Sequence, residues 1–441
     1  MYLKSFKAKK IYGSFNFDIN FNKTLNIIIG PNGVGKTTVL KIILAIFNLD
    51  YIFLSKLKFE EIDIIFTHEK YSDSVDLTLK NFSKLNEIVN FDVFSKILKI
   101  NYKVTVRDNK LFEISYMEDS NDETVFLNLG KPMFLGLDRR FVFENNKSND
   151  FVDAYLLNKF TSNDTDPLES IIELIKSHAL ANRKKSFRAN TQLRNNLIRN
   201  LLEKNEEHLK PEILFNIYEA SEKYEKVKTS LQSLSLEKDI HEIIKKRLQE
   251  YADLSQELKE ILVLHETSVE DAEKKFEEFK KNIYGDLIDY HRLDNILILL
   301  EKYKLRSDEI FHKINLFQRL INPFFSDTNK SLFINFEGIL KVKSNQVNHD
   351  ISVLSSGERQ LVILIGNLIF NKEMLKNRIF IIDEPELSLH ISWQEIFIDT
   401  LLQGESDIQL ILATHSPAIV NKYEKDLMTV NDSENNFLDL H

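Results

Sequence analysis

One stretch near the start of the chain has the residue types to hold phosphate: Gly30-Pro31-Asn32-Gly33-Val34-Gly35-Lys36-Thr37-Thr38. It follows an apolar β-like run, Leu25 to Ile29, and opens an apolar helix-like run, Val39 to Phe47. Strand, glycine-rich loop, then GK[ST] at a helix start is the context that a phosphate-binding P-loop requires. The glycines let the backbone curl so that successive N–H groups point inward, and the helix N-terminus adds its positive dipole end. Lys36 can then reach the β- and γ-phosphates of a nucleotide, and the Thr37 hydroxyl can ligate Mg²⁺. Asn32, Gly33, Val34, Gly35 and Thr38 complete the candidate cradle.

Two further groups carry chemistry. The apolar run Ile379-Phe380-Ile381-Ile382 ends in Asp383-Glu384-Pro385. Beside a triphosphate, Asp383 can hold Mg²⁺ directly or through water, while Glu384 can polarise the attacking water. The plain alternative is a pair of acids that merely end a strand in solvent. The second run, Gln409–Ala413, ends at Thr414-His415-Ser416-Pro417, and the plain alternative for His415 is a satisfied histidine at a strand end.

Positioning these groups requires a sheet whose strands end together. Tyr2–Lys9, Phe15–Phe21 and Leu25–Ile29 read as strands, as do Ile62–Phe66, Val75–Leu79, Ile100–Val106 and Leu111–Tyr116. Pro132–Leu137 reads as one more buried strand, and residues 331–343 as a hairpin around Glu337-Gly338. Strands interleaved with helices, such as the apolar run Leu361–Phe370, imply a largely parallel sheet with ligands at the strands' C-terminal ends. Between the two halves lies a stretch without glycine from Gly136 to Gly285, which is expected to be helical. Within it Ile240, Ile244, Leu248, Tyr251, Leu254, Leu258 and Leu262 fall on one helix face, suiting either a packed bundle or a projecting coiled coil.

Composition narrows the class. With 43% hydrophobic and 28% charged residues, the chain has ample core material for a globular protein. It has no cysteine, which excludes disulfides, thiol catalysis and cysteine-based zinc sites, and suits a reducing cytoplasm. The first residues lack the apolar core of a signal peptide, and no apolar run approaches a membrane span, so a cytoplasmic protein with no membrane partner is expected. A net charge of −9 argues against wholesale coating of nucleic acid. A local basic run, Arg183, Lys184, Lys185, Arg188, Arg194 and Arg199, could be a solvated helix face, a phosphate-contacting stripe or a docking surface for an acidic partner.

GPNGVGKTT, LSSGE, IFIIDEPE and ATHSP, in that order, resemble the Walker A, signature, Walker B and H-loop motifs of ABC-type ATPases. The resemblance implies an α/β fold: an ABC-ATPase head with a P-loop mixed sheet, split by a long helical, possibly coiled-coil, insertion. Residues 1–150 would form the N-terminal half of the head, 151–330 the insertion, and 331–441 the C-terminal half. It further implies that two heads pair head to tail, as a homodimer or higher oligomer. Ser355 and Gly357 of one protomer would then contact the γ-phosphate held by Lys36 of the other, with His415 contacting that phosphate in cis.

Transporter ATPases place the signature after a short subdomain, whereas most of this chain separates Lys36 from Ser355. That layout is similar to the SMC, Rad50 and RecF branch and closer to bacterial defence ATPases. DEPELSLH followed by Trp393-Gln394 looks like overcoming-lysogenisation-defect enzymes. Those carry a Toprim nuclease after the ATPase, and too few residues follow His415 here to hold one. The chain therefore resembles the ATPase subunits of the PARIS and Septu anti-phage systems, which implies a separate nuclease or toxin effector and a nucleic-acid or phage-protein trigger. A DNA-repair or chromosome-maintenance ATPase, or a nucleotide-gated assembly protein, are the alternatives. The family's Q-loop glutamine has no counterpart before the insertion: the first glutamine is Gln192, and Asp138 or Arg139 could substitute. Tyr12 could stack on adenine or belong to the core.

Overall fold

The computed structural model describes residues 1–85, 88–107, 110–117, 129, 132–135, 166–202, 212–232, 238–284, 287–335, 337–371, 378–404 and 407–429. The chain forms two compact units, Met1–Lys176 with Leu316–His441, and Ser177–Asn315. The first is mixed α/β, and the helical second lies between its halves in sequence.

A five-stranded sheet lies at the centre of the first unit. Its strands are β3 (Leu25–Ile29), β9 (Met133–Leu135), β13 (Ile379–Asp383), β14 (Gln409–Ala413) and β15 (Leu427–Thr429). Their order is β15-β3-β14-β13-β9, and every pairing is parallel. Strands covered on both faces read as continuous apolar runs, and all five residues of β13 and of β14 are buried. Register aligns Asp383 with Ala413 and Ala413 with Ile28, so the strands end at one edge. Two buried amides pin the other edge. Gln409 accepts from the Leu3 N–H and donates to the carbonyls of Leu3 and Asn22, and Asn26 donates to those of Asn22 and Leu410.

Helix α1 (Lys36–Asn48) packs on β13 and β14. Its Val39, Leu40, Ile42 and Ile43 have no exposed surface, and each such side chain contributes roughly 1.5–3 kcal/mol of burial. A second sheet of seven antiparallel strands runs β2-β1-β4-β5-β6-β7-β8. These are β1 (Tyr2–Ile11), β2 (Phe15–Asn20), β4 (Glu61–Thr67), β5 (Val75–Leu85), β6 (Ile88–Ser95), β7 (Ile100–Arg107) and β8 (Lys110–Tyr116). Strands β4, β6 and β7 alternate buried with more exposed positions, as in a one-sided sheet. Phe47 of α1 meets Phe66 of β4 edge-on, 5.3 Å between centroids. Tyr51 of α2 (Tyr51–Lys56) bonds Tyr102 hydroxyl to hydroxyl at 2.7 Å. Tyr12, left between core and ligand stacking by its sequence, is 52% exposed in the β1–β2 turn and is not core.

The expected hairpin is present as β10 (Lys330–Ile334) and β11 (Leu340–Ser344), extended by β12 (Val347–His349). It leads into α8 (Ser356–Phe370). Gly366 of α8 admits Ile171 of α3 (Pro167–Leu202): a Cβ there would lie 2.6 Å from Ile171 Cγ2.

The second unit contains α4 (Glu212–Gln232), α5 (Lys238–Thr267) and α6 (Val269–Tyr284), with most of α3 and of α7 (Leu287–Ile321). All five helices contribute to one buried cluster, from Leu193 through Ile217, Leu248 and Phe279 to Leu300, which makes this unit a packed bundle. The heptad reading of α5 needs one correction. Leu262 is 49% exposed, while Ile261 is buried. Ser255, outside that pattern, is fully buried, donating to the Tyr218 carbonyl and accepting from the Ser221 hydroxyl. Contact between α4 and α5 thus selects a face that rotates away from a strict seven-residue repeat.

Candidate functional site

The P-loop backbone has the shape that its glycines permit. Gly33 and Gly35 adopt φ values of 86° and 99°, in the left-handed region where a side chain is strained. A Cβ on Gly35 would also lie 2.8 Å from Phe17 Cζ. Gly35 is the N-cap of α1, with no side-chain cap and no acidic residue in the first turn. The first N–H groups of the helix, at Lys36, Thr37 and Thr38, are therefore left to an anion, together with the helix dipole. Asn32 and Gly33 are exposed, and Val34 N–H approaches the Pro31 carbonyl at 3.5 Å. Lys36 is 5% exposed, and its Nζ donates to the carbonyls of Gly30 (2.7 Å) and Pro31 (3.2 Å), which holds the ammonium inside the loop.

Across the sheet edge, Thr37 Oγ1 donates to Asp383 Oδ1 at 3.2 Å. Asp383 is 3% exposed, and among the described residues its buried Oδ2 has no hydrogen-bond partner. Burial pushes the Asp383 carboxyl above the ordinary range; the Thr37 hydrogen bond opposes this, the Glu384 charge adds to it, and Lys41 and Lys36 pull it down. A hydroxyl and a buried carboxylate with one oxygen unspent are hard oxygen donors of the kind that Mg²⁺ takes. The residues present fit both a triphosphate and its magnesium ion.

Glu384 follows with φ 49° and ψ 57°, a left-handed conformation for a residue that carries a side chain. Its N–H donates to the Ala413 carbonyl at 2.8 Å. Such strain is maintained only where surrounding structure over-determines it. The surroundings here are explicit. His415 N–H donates to Glu386 Oε1 at 2.9 Å, His415 Nδ1 lies 3.0 Å from the same oxygen, and Ser416 Oγ donates to Gln394 Oε1 at 2.5 Å. Gln394 in turn donates to the Leu389 carbonyl at 2.9 Å, at the start of α9 (Ile391–Leu402).

The signature residues occupy a separate helix start. Ser355 is the N-cap of α8; its Oγ accepts from Glu358 N–H, and Glu358 Oε2 accepts from Ser355 N–H at 2.7 Å, a complete capping box. Glu358, 2% exposed, also receives Lys330 Nζ at 3.0 and 3.1 Å. Gly357 sits in the first turn, half-buried, and Ser355 is exposed.

Folding thus brings Thr37 and Asp383 into contact and ties Glu384 to the strand that carries His415, while the bonds of Ser355 are local. Sequence reasoning missed Glu386, Gln394, Glu358 and Lys330. The first two lie inside the quoted motif and just after it, but their partners are loops remote in sequence. Gln192 lies on α3 in the helical unit, its amide oxygen accepting from Arg306 at 2.6 Å. Asp138 and Arg139 lie outside the described residues.

The AAA ATPase domain family matches residues 1–420, and the chain belongs to that family. It is 34% identical over 89 residues to the Retron Ec83 probable ATPase of Escherichia coli, covering 18% of this chain and 16% of that protein. It is 31% identical over 137 residues to the Retron Vc95 probable ATPase of Vibrio cholerae, covering 28% and 27% respectively. The chain therefore spans about a quarter or less of the length of these relatives in alignment. Among solved structures, it is similar to the Smc head domain with an extended coiled coil bound to the C-terminal domain of ScpA, from Pyrococcus furiosus. That likeness has TM-score 0.41 at 14% identity, over 98% of this chain and 94% of that one. Among the described residues, no helix is long and apolar enough to cross a membrane.

Proposed function

We propose that this chain binds Mg-ATP and hydrolyses it slowly at a composite site across a head-to-tail dimer, as the ATPase subunit of a bacterial anti-phage complex with a separate nuclease or toxin effector. The contact that carries the reading is Thr37 on Asp383, with Asp383 Oδ2 buried and unpaired beside an anion-ready helix start. In this assignment Lys36 and the first N–H groups of α1 hold the phosphates. Thr37 and Asp383 hold Mg²⁺, which when bound neutralises charge developing on the phosphates. Glu384 polarises the attacking water, His415 contacts the γ-phosphate, and Ser355 and Gly357 act on the nucleotide of the partner protomer. Membership of an ATPase family supports the reaction, while the defence setting rests on the motif resemblance; two retron probable ATPases share part of the sequence.

The test is a mixing experiment. Ser355→Arg and Lys36→Ala should each be inactive alone, while a mixed dimer keeps one intact composite site and recovers part of the activity. No recovery with mixed dimers confirmed would exclude head-to-tail catalysis. A second reading, a DNA-maintenance ATPase, has one observation in its favour. From Ser177 to Leu202 helix α3 carries no acidic residue, and Arg183, Lys184, Lys185, Arg188, Arg194, Arg199 and Phe187 are all exposed. Duplex DNA affinity that falls steeply with salt, and that charge reversal at Arg183, Lys185 and Arg188 removes, would establish it.

A further inference from the structure

The loop after β13 contains a third acid for which the proposed chemistry has no use. Glu386 lies in the short 3₁₀ turn Pro385–Ser388, its side chain 6% exposed. A single oxygen of it, Oε1, accepts the backbone N–H of His415 at 2.9 Å and lies 3.0 Å from the ring nitrogen Nδ1, an ion-pair distance. Its other oxygen, Oε2, is buried and has no hydrogen-bond partner among the described residues. Burying a carboxylate with half its capacity unspent costs free energy. An apolar residue would fill the position without that cost.

Its bond to the His415 N–H is one tie among several, because the neighbouring backbone is also held on both sides. Glu384 N–H binds the Ala413 carbonyl before His415, and Ser416 Oγ binds Gln394 after it. Beyond accepting the His415 N–H, Glu386 sets a carboxylate against the imidazole. One oxygen close to both the backbone nitrogen and Nδ1 limits the side-chain torsion as well as the position. A carboxylate oxygen 3.0 Å from Nδ1 also favours a proton on that nitrogen, since a lone pair there would face a charged oxygen. Nε2 is then the nitrogen left for the 45% exposed side of the ring. This is the orienting arrangement by which a buried acid serves a histidine in hydrolytic sites generally.

We infer that Glu386 is a positioning residue: it fixes the rotamer and ring proton of His415 so that Nε2 faces the terminal phosphate. The inference rests on the reading of His415 as a phosphate contact, and it concerns a residue to which no motif assigns a role. The buried carboxylate also balances the charge that a second ring proton brings when Nε2 donates to a phosphate oxygen.

The experiment uses full-length protein with ¹⁵N-labelled histidine, the His415 signals being assigned from their loss in His415→Asn. Wild-type protein should show His415 protonated at Nδ1. Glu386→Leu, close in volume and free of the unpaired oxygen, should shift it toward the Nε2–H form of a free imidazole. Glu386→Gln keeps an acceptor oxygen and should restore the wild-type pattern. Glu386→Ala serves should the leucine variant be insoluble. With Mg-ATP as substrate, kcat in Glu386→Leu should fall about tenfold or more while Kd for Mg-ATP stays within about twofold, and Glu386→Gln should recover part of the rate. The double variant Glu386→Leu/His415→Asn should be no slower than His415→Asn alone. An unchanged His415 tautomer in Glu386→Leu, or additive losses in the double variant, would overturn the assignment. Wild-type protein that hydrolyses no ATP would strike the ATPase reading instead, and the tautomer comparison would still decide the role of Glu386.

Discussion

The P-loop and the paired exits of β13 and β14 lie at the same edge of one parallel sheet, yet they are built by opposite means. In the P-loop the backbone carries the chemistry. Left-handed glycines, a close approach to Phe17 and a helix start without a side-chain cap leave N–H groups for an anion. At the strand exits side chains carry it. A non-glycine residue, Glu384, adopts the left-handed conformation with its N–H held by Ala413, while Glu386 binds His415 and Gln394 binds Ser416. A backbone device is written in neighbouring residues and reads directly from spacing. A side-chain device is distributed over distant parts of the chain and becomes visible only once they meet. The two should also fail differently: damage to the first removes binding, and damage to the second leaves binding intact and removes turnover.

The largest effect is expected from Lys36→Ala, which removes the charge held inside the loop. Calorimetric titration should show Mg-ATP affinity reduced by about a hundredfold or to nothing, and undiminished affinity would break the P-loop side of the comparison. Glu384→Gln should leave Kd for Mg-ATP unchanged and lower steady-state hydrolysis about 10²–10³-fold, since the amide no longer polarises water. Normal turnover in that variant would place the base elsewhere. Gly35→Ala tests the backbone device without touching a charge. The left-handed φ and the Phe17 ring should together weaken Mg-ATP binding about tenfold and lower stability by about 1–2 kcal/mol, read from affinity and urea midpoint. The smallest effect belongs to Gln394→Ala. Loss of one of several ties should reduce kcat about two- to fivefold with no change in affinity. A loss of binding in Gln394→Ala would blur the division between the two loops.

Much of this molecule is legible before folding. Gly30 to Thr38 between two apolar runs, the all-apolar β13 and its parallel neighbour β14, the hairpin around Gly338 and the helices described within the glycine-free stretch all follow from local rules. Backbone conformation at a glycine and the period of apolar residues depend on nearby atoms, so the chain itself specifies them. Strand β6, not singled out in sequence, carries the same alternation, with Val89, Phe91 and Val93 buried.

Tertiary structure decided the remainder. It set Thr37 against Asp383, gave Glu386 to His415 and Lys330 to Glu358, and chose Ile261 over Leu262 for the core of the bundle. It left Tyr12 in solvent and set β9 at the sheet edge beside β13. In each case the outcome depends on a partner from a distant part of the chain or another helix. Spacing constrains what a residue can reach along its own element, and it cannot name the atom that will face it across the fold. A buried carboxylate such as Glu386 looks, in sequence, like any acid in a polar loop. Only the enclosing loops remove its water and oblige it to find His415.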